Sequence, residues 1–115
     1  MKRYLILLIV LAITGSLFSV FSEKTNSLDI FPYIAEDFVK ITVTSTEYSE
    51  IRLIILNTNG ETVRTFSRNK SQPGVYTFDW DCKDDQGNIL PAGKYSVQFV
   101  VSERMTHLTK VVILK

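Results

Sequence analysis

Residues Val75–Val97, VYTFDWDCKDDQGNILPAGKYSV, decide how this chain reads. Tyr76, Phe78 and Trp80 alternate with Thr77 and Asp79, so an extended segment places three rings on one face and polar groups on the other. Tyr95, Val97, Phe99 and Val101 repeat the pattern against Lys94, Ser96 and Gln98. Between the two runs lie three aspartates, Gly87, Asn88 and Leu90-Pro91-Ala92-Gly93, which are turn-forming residues. The expectation is two strands joined as a hairpin through a long polar turn, with the rings facing a core.

The same reading extends upstream. Glu50–Asn57 (EIRLIILN) alternates Ile51, Leu53 and Ile55 with Arg52 and becomes apolar on both faces at Ile54 and Leu56, as a central strand does. Asn57-Thr58-Asn59-Gly60 follows, and Asn-Gly marks a hairpin turn because both residues tolerate positive φ. Glu61–Ser67 is the returning arm, and Arg68–Gly74 (RNKSQPG) is a polar break. Val39, Ile41 and Val43 alternate with Lys40, Thr42 and Thr44 in a half-buried strand. Leu28–Ala35 (LDIFPYIA) carries Pro32, which confines it to an edge strand or an extended lead-in. Downstream, 103–107 is a connecting turn and Leu108–Lys115 a closing strand. About seven short strands separated by turn signals predict an all-β, immunoglobulin-like antiparallel β-sandwich.

The N-terminus is of another kind. Lys2 and Arg3 precede an unbroken apolar run from Leu5 to Ile13, and Gly15 and Ser16 then lower the hydrophobicity, the pattern of a helical signal peptide. Val20 and Ser22 suit cleavage before Glu23; an uncleaved anchor is the alternative reading of residues 1–22. Residues 23–27 (EKTNS) then form a mobile tether and 28–115 the sandwich, so the protein is expected in the periplasm or outside the cell. Membrane contact would be through residues 1–22 alone.

Formal charge is +1, with 45% hydrophobic and 22% charged residues, a globular balance. Basic residues are scattered singly, which argues against nucleic acid. The single cysteine, Cys82, cannot form an internal disulfide. The sandwich therefore depends on its packed core.

From Val39 to Val101 the chain carries, in order, N-x-x-G-E-x-V-R (57–64), F-x-W-D (78–81), D-x-x-G-N (84–88) and L-P-A-G-x-Y (90–95). This combination resembles the Ig-like domain of the flagellar hook-capping protein FlgD, a module similar to small sandwiches of many bacterial exported proteins and to C-terminal signals of type IX secretion. The resemblance implies a structural signature at Asn59, Gly60, Tyr76, Phe78, Trp80, Asp81, Asp85, Gly87, Leu90, Pro91, Gly93 and Tyr95. The family usually has Trp-Asp-Gly where this chain has Trp80-Asp81-Cys82.

Candidate chemistry is sparse. Asp79, Asp81, Asp84 and Asp85 are candidate calcium ligands, but Lys83 occupies the place of a third alternating oxygen ligand. The competing reading is a solvated turn in which Asp85 and Asn88 bond backbone amides around Gly87. Cys82 is a candidate intermolecular thiol or an incidental residue on an exposed loop. His107 lacks the partners a metal site or triad needs. Trp80 could offer a carbohydrate platform, although its register with Tyr76 and Phe78 points it inward.

These residues predict a non-enzymatic exported module of the bacterial cell envelope, without cofactors, that engages a protein partner. Pairing at the sandwich edges formed by the first segment and the terminal strand is the expected mode. The alternatives are an accessory of flagellar or other appendage assembly or of a secretion system, implied by the resemblance, and calcium or carbohydrate binding through residues 79–88.

Overall fold

A computed structural model describes residues 25–101 and 106–115. The segment read as a signal peptide lies outside the described residues. The strands are β1 (Ser27–Phe31), β2 (Ile34–Ala35), β3 (Val39–Ser45), β4 (Ser49–Leu56), β5 (Thr62–Ser71), β6 (Gly74–Trp80), β7 (Gly93–Val101) and β8 (Thr106–Leu114). They form a three-stranded sheet in the order β1-β3-β6 and a five-stranded sheet in the order β2-β8-β7-β4-β5.

Period-2 alternation builds the core between the two layers. Val39, Ile41 and Val43 of β3 and Trp80 of β6 face Ile51, Leu53 and Ile55 of β4, Val97 and Phe99 of β7, and Val112 and Leu114 of β8, all of them buried. Phe66, Tyr76 and Phe78 are half-buried against this core. β-Branched residues dominate the central positions, where they pack well on a pleated surface. The expected antiparallel sandwich is present.

Four local expectations need correcting. First, β6 and β7 are not a hairpin: β6 pairs with β3 and β7 pairs with β4 and β8, so residues 81–92 cross from one sheet to the other. Second, the Leu28–Ala35 segment divides at Pro32. β1 pairs antiparallel with β3 in one sheet, and β2 pairs parallel with β8 in the other. Third, β5 continues to Ser71, so most of the expected polar break is strand and the turn itself is Gln72-Pro73. Fourth, Thr106 and His107 belong to β8 rather than to a turn.

The β4–β5 hairpin forms where Asn57-Thr58-Asn59-Gly60 predicts it. Only Gly60 takes a positive φ, at 82°. Asn57 supplies the closure: its carbonyl accepts from the Gly60 amide at 3.0 Å, and its side-chain oxygen accepts from the amides of Asn59 and Glu61. The expected tether is shorter than its composition suggests, since the Asn26 side chain accepts two hydrogen bonds from Thr46 and Ser27 already opens β1.

Candidate functional site

The 81–92 crossover gathers most of the residues singled out in the sequence. It is anchored at its start by Trp80, which is fully buried, donates from Nε1 to the Lys83 carbonyl at 2.9 Å and meets the Tyr95 ring edge-on at 6.1 Å. Tyr95 in turn donates its hydroxyl to the Pro91 carbonyl at 2.7 Å, and burial pushes its phenol up. Two rings on different sheets thus hold the two ends of the crossover. With both faces of the indole covered, no carbohydrate platform is left at this position.

The aspartates serve separate internal donors. Arg64 on β5 donates to the Asp81 carboxylate at 2.9 Å and to the Lys83 carbonyl at 3.0 Å, and its Nε lies 3.6 Å from Asp85. Burial acts to raise the Asp81 carboxyl, and the Arg64 hydrogen bond, the Lys83 amide and the guanidinium charge together outweigh it, leaving the group below its usual value. Asp85 also accepts from the Thr65 amide, while its own amide donates to the Val63 carbonyl, so the crossover borders the exposed edge of β5. Asp79 lies on β6 opposite Lys40 of β3.

Asp84, not Asp85, closes the turn around Gly87. Its carboxylate accepts from the amides of Gln86 and Asn88 and from the Asn88 side chain. The Asn88 amide, foremost among these donors, holds the carboxyl below its usual value. Gly87 follows at φ 88°, which a glycine adopts without strain. Position settles this exchange of roles: Asp84 precedes the turn by three residues, whereas the next residue points back to β5. Nothing in the one-letter pattern separates two adjacent aspartates.

Cys82 is not on an exposed loop. It is buried at 4% exposure and its φ is +61°, the only positive φ of a non-glycine among the described residues. Burial first, and then the charges of Asp37 and Asp81, push the thiol up to about 11. A cleft of 160 Å³ lined by Asp37, Asp81, Lys83 and Leu90 lies beside it, smaller than the clefts that enclose small-molecule ligands. This setting does not favour an intermolecular disulfide.

The fold also exposes apolar residues. Ile34 and Ile113 are register partners on β2 and β8, Val111 lies two residues away on the same face of β8, and Tyr33 sits beside them; all four are exposed. The Ile113 amide donates to the Tyr33 carbonyl on the side away from β7. By the alternation of an antiparallel ladder, the amides of Thr109 and Val111 point to that same side, where β2 no longer runs. Sequence reasoning placed Leu28–Ala35 and β8 at edges but could not see that they share one.

A family model described as the FlgD Ig-like domain matches residues 34–104. The chain belongs to this family. The basal-body rod modification protein FlgD of Salmonella typhimurium is 32% identical over 59 residues, covering 51% of this chain and 25% of that protein. The chain therefore spans about a quarter of the length of the curated relatives it matches. Among solved structures, FlgD from P. aeruginosa superposes with a TM-score of 0.53 at 24% identity over 67% of this chain and 61% of that one. Latent PorU from Porphyromonas gingivalis superposes at 0.63 with 15% identity over 83% of this chain and 10% of that one. These likenesses concern the fold. The left-handed backbone at Cys82 is one that glycine adopts without strain, in keeping with the Trp-Asp-Gly that the resemblance implies at this place.

Proposed function

We propose that this FlgD-type Ig-like module is an exported, non-enzymatic interaction domain of the bacterial cell envelope, engaging a protein partner along the β2–β8 border. The observation carrying this reading is the exposed strip of Tyr33, Ile34, Val111 and Ile113, contiguous apolar surface of a kind that marks protein contacts. An extended partner segment laid beside Thr109 and Val111 would take up their outward amides, and its alternate side chains would reach the strip. The aspartates of the crossover support this view, since Asp81, Asp84 and Asp85 already accept from internal donors.

Amide hydrogen exchange with and without an envelope extract tests the reading. Slower exchange at Thr109 and Val111, lost in Ile34→Glu, is expected; unchanged protection of β8 sinks it. Export is tested separately by the N-terminal sequence of the recovered chain, which cleavage would start at Glu23.

The match to a basal-body rod modification protein favours a second reading, an accessory role in flagellar assembly. Its test is deletion of the gene followed by electron microscopy of hooks. Normal hooks and motility would dismiss it.

A further inference from the structure

Strand edges that stay unpaired are usually defended against added strands by shortness, proline, lysine or arginine, or broken register. β1 is five residues long and is followed by Pro32, and β2 has two residues. β5 bears Arg64, Arg68 and Lys70, shifts register twice against β4, and has the Asp85 amide on its Val63 carbonyl. β6 is preceded by Pro73 but has none of these within the strand. Its seven residues pair with β3 without a register shift from Val39↔Trp80 to Ser45↔Gly74, and Gly74–Trp80 contains no Lys, Arg or Pro. Its other side carries no strand among the described residues. Val75 on this strand is 65% exposed, and the rings of Tyr76 and Phe78 are only half covered.

The two ends of this edge have opposite charge. At the Gly74 end, the Arg68 guanidinium lies 5.1 Å over the Tyr76 ring and Lys70 lies 6.0 Å from the Tyr48 ring. At the other end stand Asp79, opposite Lys40 of β3, and Asp81, whose carboxylate is ion-paired with Arg64 but still more than half exposed. An antiparallel mate of the same sequence sets each basic end against an acidic end, and does so twice by symmetry.

We propose that β6 pairs antiparallel with β6 of a second copy of this chain, about a two-fold axis at Thr77. Only a register that keeps inward residues opposite inward residues is compatible with the pleat. Centring on Thr77 satisfies this and pairs all of Gly74–Trp80. Tyr76 then faces Phe78 of the second copy, an aromatic cross-strand pair on the inner side that covers both rings. Val75 faces Asp79 of the second copy on the outer side, and the two three-stranded sheets become one of six strands.

Sedimentation equilibrium of the purified full chain tests this. A dimer is expected whose association weakens with added salt. Thr77→Lys sets two ammonium groups against each other at the axis and should weaken association by about tenfold or more, with an unchanged circular dichroism spectrum. Thr77→Cys should form a disulfide-linked dimer under mild oxidation, because residues opposed across an antiparallel pair lie within disulfide reach. Thr109→Cys, on β8, should not. A monomer at every concentration, a dimer indifferent to Thr77→Lys, or equal cross-linking of the two cysteine variants overturns the proposal.

Discussion

Arg64 and Asp81 meet at 2.9 Å although one is on β5 of the five-stranded sheet and the other follows β6 of the three-stranded sheet. The pair clasps the open side of the sandwich. Beside it, the Phe66 and Phe78 rings meet at a tilt of 51° with 5.7 Å between centroids, and the Arg64 guanidinium itself lies 4.7 Å over the Phe66 ring. One arginine thus joins two sheets and the crossover between them.

Arg64→Ala should cost about 1 kcal/mol in urea unfolding. The Asp81 side chain is more than half exposed, so water screens the charge and the loss stays near that of a surface pair with good geometry. Arg64→Lys should recover only part of it, since an ammonium cannot reach Asp81, Asp85 and the Lys83 carbonyl in one planar arrangement. Equal stability of all three proteins would remove the clasp as a stabilising element.

Trp80→Ala should cost about 3 to 5 kcal/mol, because the ring is fully buried and leaves a cavity between the sheets. Trp80→Phe should retain much of that packing and lose chiefly the bond to the Lys83 carbonyl, itself worth about 1 kcal/mol. A loss within about 0.5 kcal/mol for the alanine variant, the range of surface substitutions, would contradict the burial.

The Cys82 thiol should resist Ellman's reagent at pH 8 in the folded protein and react promptly in denaturant, since it is buried and its ionisation is pushed up to about 11. Cys82→Gly should lie within about 1 kcal/mol of the parent, relief of the left-handed backbone offsetting the lost packing. Cys82→Val, β-branched at positive φ, should be the most damaging of the two. Thermal denaturation ranks them.

Acid should destabilise the crossover. Asp81 and Asp84 both sit below their ordinary values when folded. Carboxyls of this kind contribute stability above their unfolded pKa, and it is lost as pH falls through the folded value. Stability should therefore decline below about pH 4, and Asp84→Asn should flatten the decline. An Asp84→Asn protein with an unaltered acid limb would place that contribution elsewhere.

Much of the architecture was legible because alternation has a direct cause. Val39, Ile41, Val43, Ile51, Leu53, Ile55, Val97 and Phe99 recur every second residue, and each is buried. Asn57-Thr58-Asn59-Gly60 was readable too, since a turn is closed by its own residues. The crossover was legible in composition but not in detail, as Asp84 and Asp85 differ only in where the backbone aims them.

By itself, then, the sequence determined the fold class, the inward residues and the hairpin at Gly60, all of which depend on neighbours a few positions apart. Tertiary structure alone decided that β6 and β7 enter different sheets, that Leu28–Ala35 divides between both, and that Cys82 is buried. Period 2 records which face of a strand is apolar and says nothing of which strand lies beside it. That choice depends on packing between residues far apart in the chain, and with it go the edges left open and the Cys82 thiol enclosed at the start of the crossover.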